Sequence, residues 1–123
     1  MDKIGLLAGI GRLPVEIALA AKDCNIDIIA IALLDDVDAE LESSVKDFNK
    51  INIGQLDKII KTLQEKNVKQ VTMIGKVTKE LMFSGEVSID ARWQKLFSLL
   101  PNHNDDTLML ALAKELAGAG IGV

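Results

Sequence analysis

Between Ile4 and Pro14 the chain reads Ile-Gly-Leu-Leu-Ala-Gly-Ile-Gly-Arg-Leu-Pro, and that order confines the fold. An apolar run stops at Gly9, a second glycine follows at Gly11, and a proline opens a helix. Ile4–Ala8, apolar almost throughout, suits a strand covered on both faces. Pro14 suits the first turn of a helix, where its missing N–H costs nothing. Strand, glycine turn and helix start make an anion cradle. The glycines let the backbone turn tightly and let a phosphate come close, while the unpaired N–H groups and the helix dipole favour negative charge. Gly9, Gly11 and Arg12 are therefore candidates for holding the polar groups of a phosphorylated ligand.

The alternation continues along the chain. Pro14–Asp23 reads as a helix with Val15, Ile17, Ala18, Leu19 and Ala21 as its inward residues. Ile28–Leu33 is a second apolar strand that ends at Leu34-Asp-Asp36, and Asp38–Glu42 forms a short helix. Phe48–Ile53 is a third strand. Gly54 opens a helix in which Leu56, Ile59, Ile60 and Leu63 share one face, with Asp57 and Lys61 four apart on the wet side. Gln70–Ile74 is a fourth strand, closed by Gly75-Lys76. Residues 77–89 carry no clear pattern beyond a turn at Ser84-Gly85. Asp90 caps a helix bearing Trp93, Leu96, Phe97 and Leu100. After the break at Pro101–Asn104, Asn104 or Asp105 caps a last helix with Leu108, Leu112 and Leu116 in line, ended by Gly118 and Gly120. Ile121-Gly-Val123 looks like a strand just beginning, the expected start of a second domain.

Strands alternating with helices over short connections predict an α/β, Rossmann-like three-layer fold. Its sheet is mostly parallel, of about four strands, with helices on both faces. Crossover rules suggest the order 3-2-1-4, which puts the first and fourth strands side by side at the switch point. Gly9–Arg12 and Gly75-Lys76 would then face each other across one crevice, beyond the carboxyl ends of the strands. Ligands of such sheets bind there. Lys76 would supply a point charge for a phosphate.

Composition narrows the function. At 49% hydrophobic and 3% aromatic, the chain must build its core from Leu, Ile, Val and Ala. The net charge of −4, with Lys and Arg scattered, argues against a nucleic-acid surface. The lone Cys24 excludes an internal disulfide, suggests a reducing, cytoplasmic setting and reads as a packing residue. The apolar run is too short to span a bilayer. His103, the single histidine, has no Ser-His-Asp or metal-ligand arrangement around it in sequence.

Gly9-Ile-Gly11 begins a dinucleotide fingerprint, but Pro14 stands where its third glycine belongs. Asp35 or Asp36, at the end of the second strand, would hold a ribose in an NAD-binding oxidoreductase. Asp105-Asp106 complements the dipole of the last helix, and paired carboxylates also suit Mg²⁺ or sugar hydroxyls. A non-enzymatic interaction domain is the remaining alternative. No catalytic residue is identifiable.

Four pieces of the chain, in order, resemble the N-terminal domain of the UDP-2,3-diacylglucosamine pyrophosphatases of the LpxI type. They are Ile4–Pro14, Ile53-Gly-Gln-Leu56, Met73-Ile-Gly-Lys-Val77 and Asp105-Asp-Thr-Leu108. The resemblance covers essentially the whole chain. Two positions depart from it: Ile10 replaces the middle of three small residues, and Asn104 precedes the acidic pair. The resemblance implies a hydrolase of lipid A synthesis that yields UMP and 2,3-diacylglucosamine 1-phosphate. Mg²⁺ or a similar cation would assist, and the main catalytic carboxylate would lie in a C-terminal domain. This chain would contribute Gly9, Gly11, Arg12, Lys76, Asp105 and Asp106 to a UDP-linked lipid sugar. It is expected to act at the cytoplasmic side, with peripheral membrane contact and a homodimer as further expectations.

Overall fold

Strand β1 (Lys3–Ala8) lies at the centre of the molecule, where its apolar run is buried from both sides. It is followed by α1 (Leu13–Asp23), β2 (Asp27–Ala32), α2 (Glu40–Ser44), β3 (Asp47–Lys50), α3 (Leu56–Glu65), β4 (Val71–Ile74), α4 (Ala91–Leu99) and α5 (Asp105–Gly118). The computed structural model describes residues 3–77, 89–102 and 104–123. The Ser84-Gly85 turn and His103 lie outside them.

The strands pair in the order β3-β2-β1-β4, all parallel, as the alternation predicts. Ile4 stands opposite Ile28, and Leu7 opposite both Ile31 and Met73. Alternate residues of each strand face opposite sides. Leu6, Ala8, Ile28 and Ala30 pack beneath α1 and α2, with Val15, Ala18 and Leu41. Leu7, Ile29 and Ile31 pack beneath α3, α4 and α5, with Ile59, Ile60, Leu63, Trp93, Leu108, Leu112 and Leu116. These are the two outer layers of a three-layer fold.

Local differences from the sequence expectations have physical causes. Leu19 is 41% exposed, because the narrow inward stripe of α1 is filled by Pro14, Val15 and Ala18. Cys24 is exposed at the end of α1 and does not pack in the core. The third strand ends at Lys50, although Ile51 and Ile53 still donate to Ala32 and Leu33 of the β2 edge. Asn104 is the N-cap of α5, but the side chain that receives the local donors is Asn102, from the Asn104 amide and the Thr107 hydroxyl. Gly118 stays inside α5, and Gly120, at φ +86°, makes the turn out of it. Gly122 then accepts from Val71 and donates to Lys69, which makes a single parallel bridge between Gly122 and Gln70 beside β4.

Asp47 and Lys66 tie the amino end of β3 to the carboxyl end of α3 at 2.8 Å. The Lys66 hydrogen bond, with help from Asn49 and against the effect of burial, holds the Asp47 carboxyl below its ordinary value. A depressed folded-state value means stability that is present above the unfolded aspartate value and is lost as pH falls through the folded one. Asp47→Asn should therefore be less stable than the parent at pH 7, by a few tenths to about 1 kcal/mol. Urea titrations at pH 7 and pH 3 should show that gap closing at the acid end.

Candidate functional site

The carboxyl ends of β1 and β4 meet at the switch point, and the two loops that leave them clasp each other. The Gly9 amide donates to Ile74 O at 2.8 Å. Ile10 and Lys76 then exchange hydrogen bonds of 3.0 and 2.9 Å, a short antiparallel bridge after two parallel strands. A Cβ on Gly9 would stand 2.6 Å from Lys76 O, and one on Gly75 2.7 Å from the Gly9 carbonyl carbon. Gly9 is thus a point of close backbone approach, as its residue type suggests, but the approaching backbone is that of Gly75-Lys76. Its amide is already committed.

Gly11 differs. It is exposed, its φ is +121°, and a Cβ there would meet nothing within 4 Å. The amides of Gly11 and Arg12 donate to no backbone carbonyl among the described residues, and they lead directly into α1. This part of the turn is open. Lys76 is exposed beside it, held there by its bridge to Ile10, and forms no ion pair among the described residues.

Arg12 is engaged. Its guanidinium donates to Glu40 at 2.8 Å and to Asp38 at 3.4 Å, across the mouth of the crevice. Asp38 also accepts the Glu40 amide at 3.0 Å, starting α2. The Glu40 hydrogen bond is the chief cause of a raised guanidinium pKa. The side chain remains half exposed, and such pairs exchange readily with water and with competing anions. Sequence spacing gave no sign of these partners, which lie 26 and 28 residues away. Asp35, the alternative ribose acceptor, is paired with Lys50 at 3.3 Å.

Helix α5 brings its first turns to the same edge. Met109 and Leu112 border a cavity that also touches Gly75, and exposed Asp105 and Asp106 stand one turn before Met109. Among the described residues no group of three or more His, Cys, Asp or Glu side chains is placed to hold a metal ion. No helix among the described residues is long and apolar enough to cross a membrane.

A four-stranded parallel sheet with helices on both faces defines a Rossmann-like α/β domain. The chain belongs to the LpxI N-terminal domain family, whose model matches residues 3–123. No curated protein matches it. Among solved structures it is similar to a crystal structure of the biotin carboxylase subunit of pyruvate carboxylase, with a TM-score of 0.56 and 20% identity over 98% of this chain. That likeness shows the fold alone, and the chain spans 22% of that protein's length.

Proposed function

We propose that this chain is the nucleotide-sugar-binding half of a hydrolase that cleaves the pyrophosphate of UDP-2,3-diacylglucosamine. Membership of the LpxI N-terminal domain family supports a setting in lipid A synthesis. The observation that carries the reading is the Ile10–Lys76 bridge, which sets a cation beside an open glycine turn at the switch point. In this reading Gly9 shapes the crevice. The Gly11 and Arg12 amides and Lys76 receive the diphosphate, and Asp105 and Asp106 take sugar hydroxyls. Water attack requires neutralisation of the leaving phosphate, and fixed donors such as these supply it. The catalytic carboxylate would come from a C-terminal domain, with a divalent cation bound largely by groups outside the described residues.

The test is an amide chemical-shift titration with UMP, UDP-N-acetylglucosamine and NAD, each with and without Mg²⁺. Saturable shifts at Gly11, Arg12 and Lys76 with the uridine ligands alone are expected. Shifts with NAD alone, centred on Asp35, or silence with both uridine ligands would overturn the assignment. Glu40→Gln should tighten uridine diphosphate binding roughly two- to fivefold, because it frees Arg12 from its nearer competitor. Weaker binding in that variant would instead mean that Glu40 touches the ligand.

A further inference from the structure

The cavity beside Gly75 has a volume of about 270 Å³ and no polar side chain in its lining. Its floor is the buried Ile53 and Leu112, and its mouth is the partly exposed Met73, Ile74, Val77 and Met109. At about 30 Å³ per water-sized group, it has room for roughly nine heavy atoms. A water there would find partners only among backbone groups, because a buried water needs two to four polar partners and none of the lining side chains offers one. Two flexible thioethers at the mouth suit an occupant of variable shape. Gly75 belongs to both places: it borders the cavity and closes against Gly9 at the edge where Lys76 and Gly11 stand.

We infer that this cavity receives a single alkyl or acyl chain of a ligand whose polar head lies at the Gly11–Lys76 crevice. The identity of that ligand as a diacylated UDP-sugar rests on the function proposed above; the chain-binding itself does not. An amphiphile fits the arrangement because the two environments adjoin across one glycine. A polar head is matched by amides and a lysine, and a hydrocarbon tail by apolar side chains. Each methylene that enters should tighten binding by up to about fourfold, until the cavity is full.

The chain contains four methionines, and Met73 and Met109 are at the cavity mouth. Methyl-labelled methionine therefore reports occupancy directly. The chain would be titrated with hexyl, heptyl and octyl glucoside, each kept below its micelle concentration. A parallel titration with UDP-N-acetylglucosamine would be followed at the Gly11 and Lys76 amides. Saturable shifts confined to the Met73 and Met109 methyls, with affinity rising along the alkyl series, are expected. Met109→Phe, and separately Met73→Phe, should weaken octyl glucoside at least tenfold while leaving the amide spectrum folded. Absence of saturable shifts, or equal shifts at all four methyls, would overturn the inference. Uridine binding without alkyl binding would sink the inference alone. Alkyl binding without uridine binding would leave the cavity assignment standing and remove the proposed function.

Discussion

Gly75→Ala is expected to destabilise the fold by about 2–5 kcal/mol, more than the same change at Gly11. Two penalties coincide. Gly75 has a φ of +103°, where an L side chain is strained by about 1–3 kcal/mol. Its Cβ would also stand 2.7 Å from the Gly9 carbonyl carbon and 2.9 Å from the Gly9 Cα and N. Those are backbone atoms that cannot rotate away, and the Gly9 amide anchors them to Ile74. Overpacking of this kind adds about 1–3 kcal/mol. Gly9→Ala meets the same wall from the other side, at 2.6 Å from Lys76 O, and should cost a comparable amount. Because both methyls spoil one contact, the double variant should cost less than the sum of the singles. Gly11→Ala is the control. It has the strain of a φ of +121° but no contact within 4 Å, so about 1–2 kcal/mol is expected. Urea unfolding of the four variants checks this. A Gly75→Ala loss no larger than that of Gly11→Ala would show that the two loops part without cost.

The layers of this protein were legible from local pattern because the pattern is local. Apolar runs ending in glycine locate β1 and β4, the spacing of Leu56, Ile59, Ile60 and Leu63 fixes the buried face of α3, and short connections between alternating elements imply a parallel sheet in the observed order. Legibility fails where the determining partner is remote. Gly9 reads as a phosphate contact because a glycine after a strand permits close approach. That the approaching group is Gly75, 66 residues later, appears only when β1 and β4 pair. Arg12 reads as an open cation, and its engagement depends on Asp38 and Glu40, which reach it by folding of the β2–α2 connection. Leu19 is apolar and lies outside the stripe that α1 buries, because an alanine-rich helix carries little contrast between its faces. A sequence reports which residues permit a contact, and chain topology decides which contact uses them.

Asp90 carries the second large expected effect, and it too acts between distant segments. Its Oδ1 accepts from the Trp93 amide at 3.0 Å, the N-cap hydrogen bond of α4 that the sequence suggests. Its Oδ2 accepts from the Asp57 amide at 2.8 Å, in the first turn of α3. The N-cap residue of α3, Gln55, makes no side-chain cap hydrogen bond, so this carboxylate caps two helices at once. The Asp90 amide completes the junction by donating to Gly54 O at 2.9 Å. Losing one cap typically costs about 1 kcal/mol, within a range of about 0.5–2. Asp90→Ala should therefore cost about 2–3 kcal/mol, and Asp90→Asn, which retains one carbonyl oxygen, about half as much. For a domain of this size that loss lowers Tm by about 6–15 °C. A loss under about 0.5 kcal/mol on thermal or urea unfolding would mean that water caps both ends equally well. The consequence reaches the cavity beside Gly75 through Trp93. Its indole N–H donates to Ile53 O at 2.7 Å, and Ile53 is part of the cavity floor. Releasing α4 from Asp90 frees that indole to move, so the variant should bind octyl glucoside more weakly even at temperatures where it remains folded.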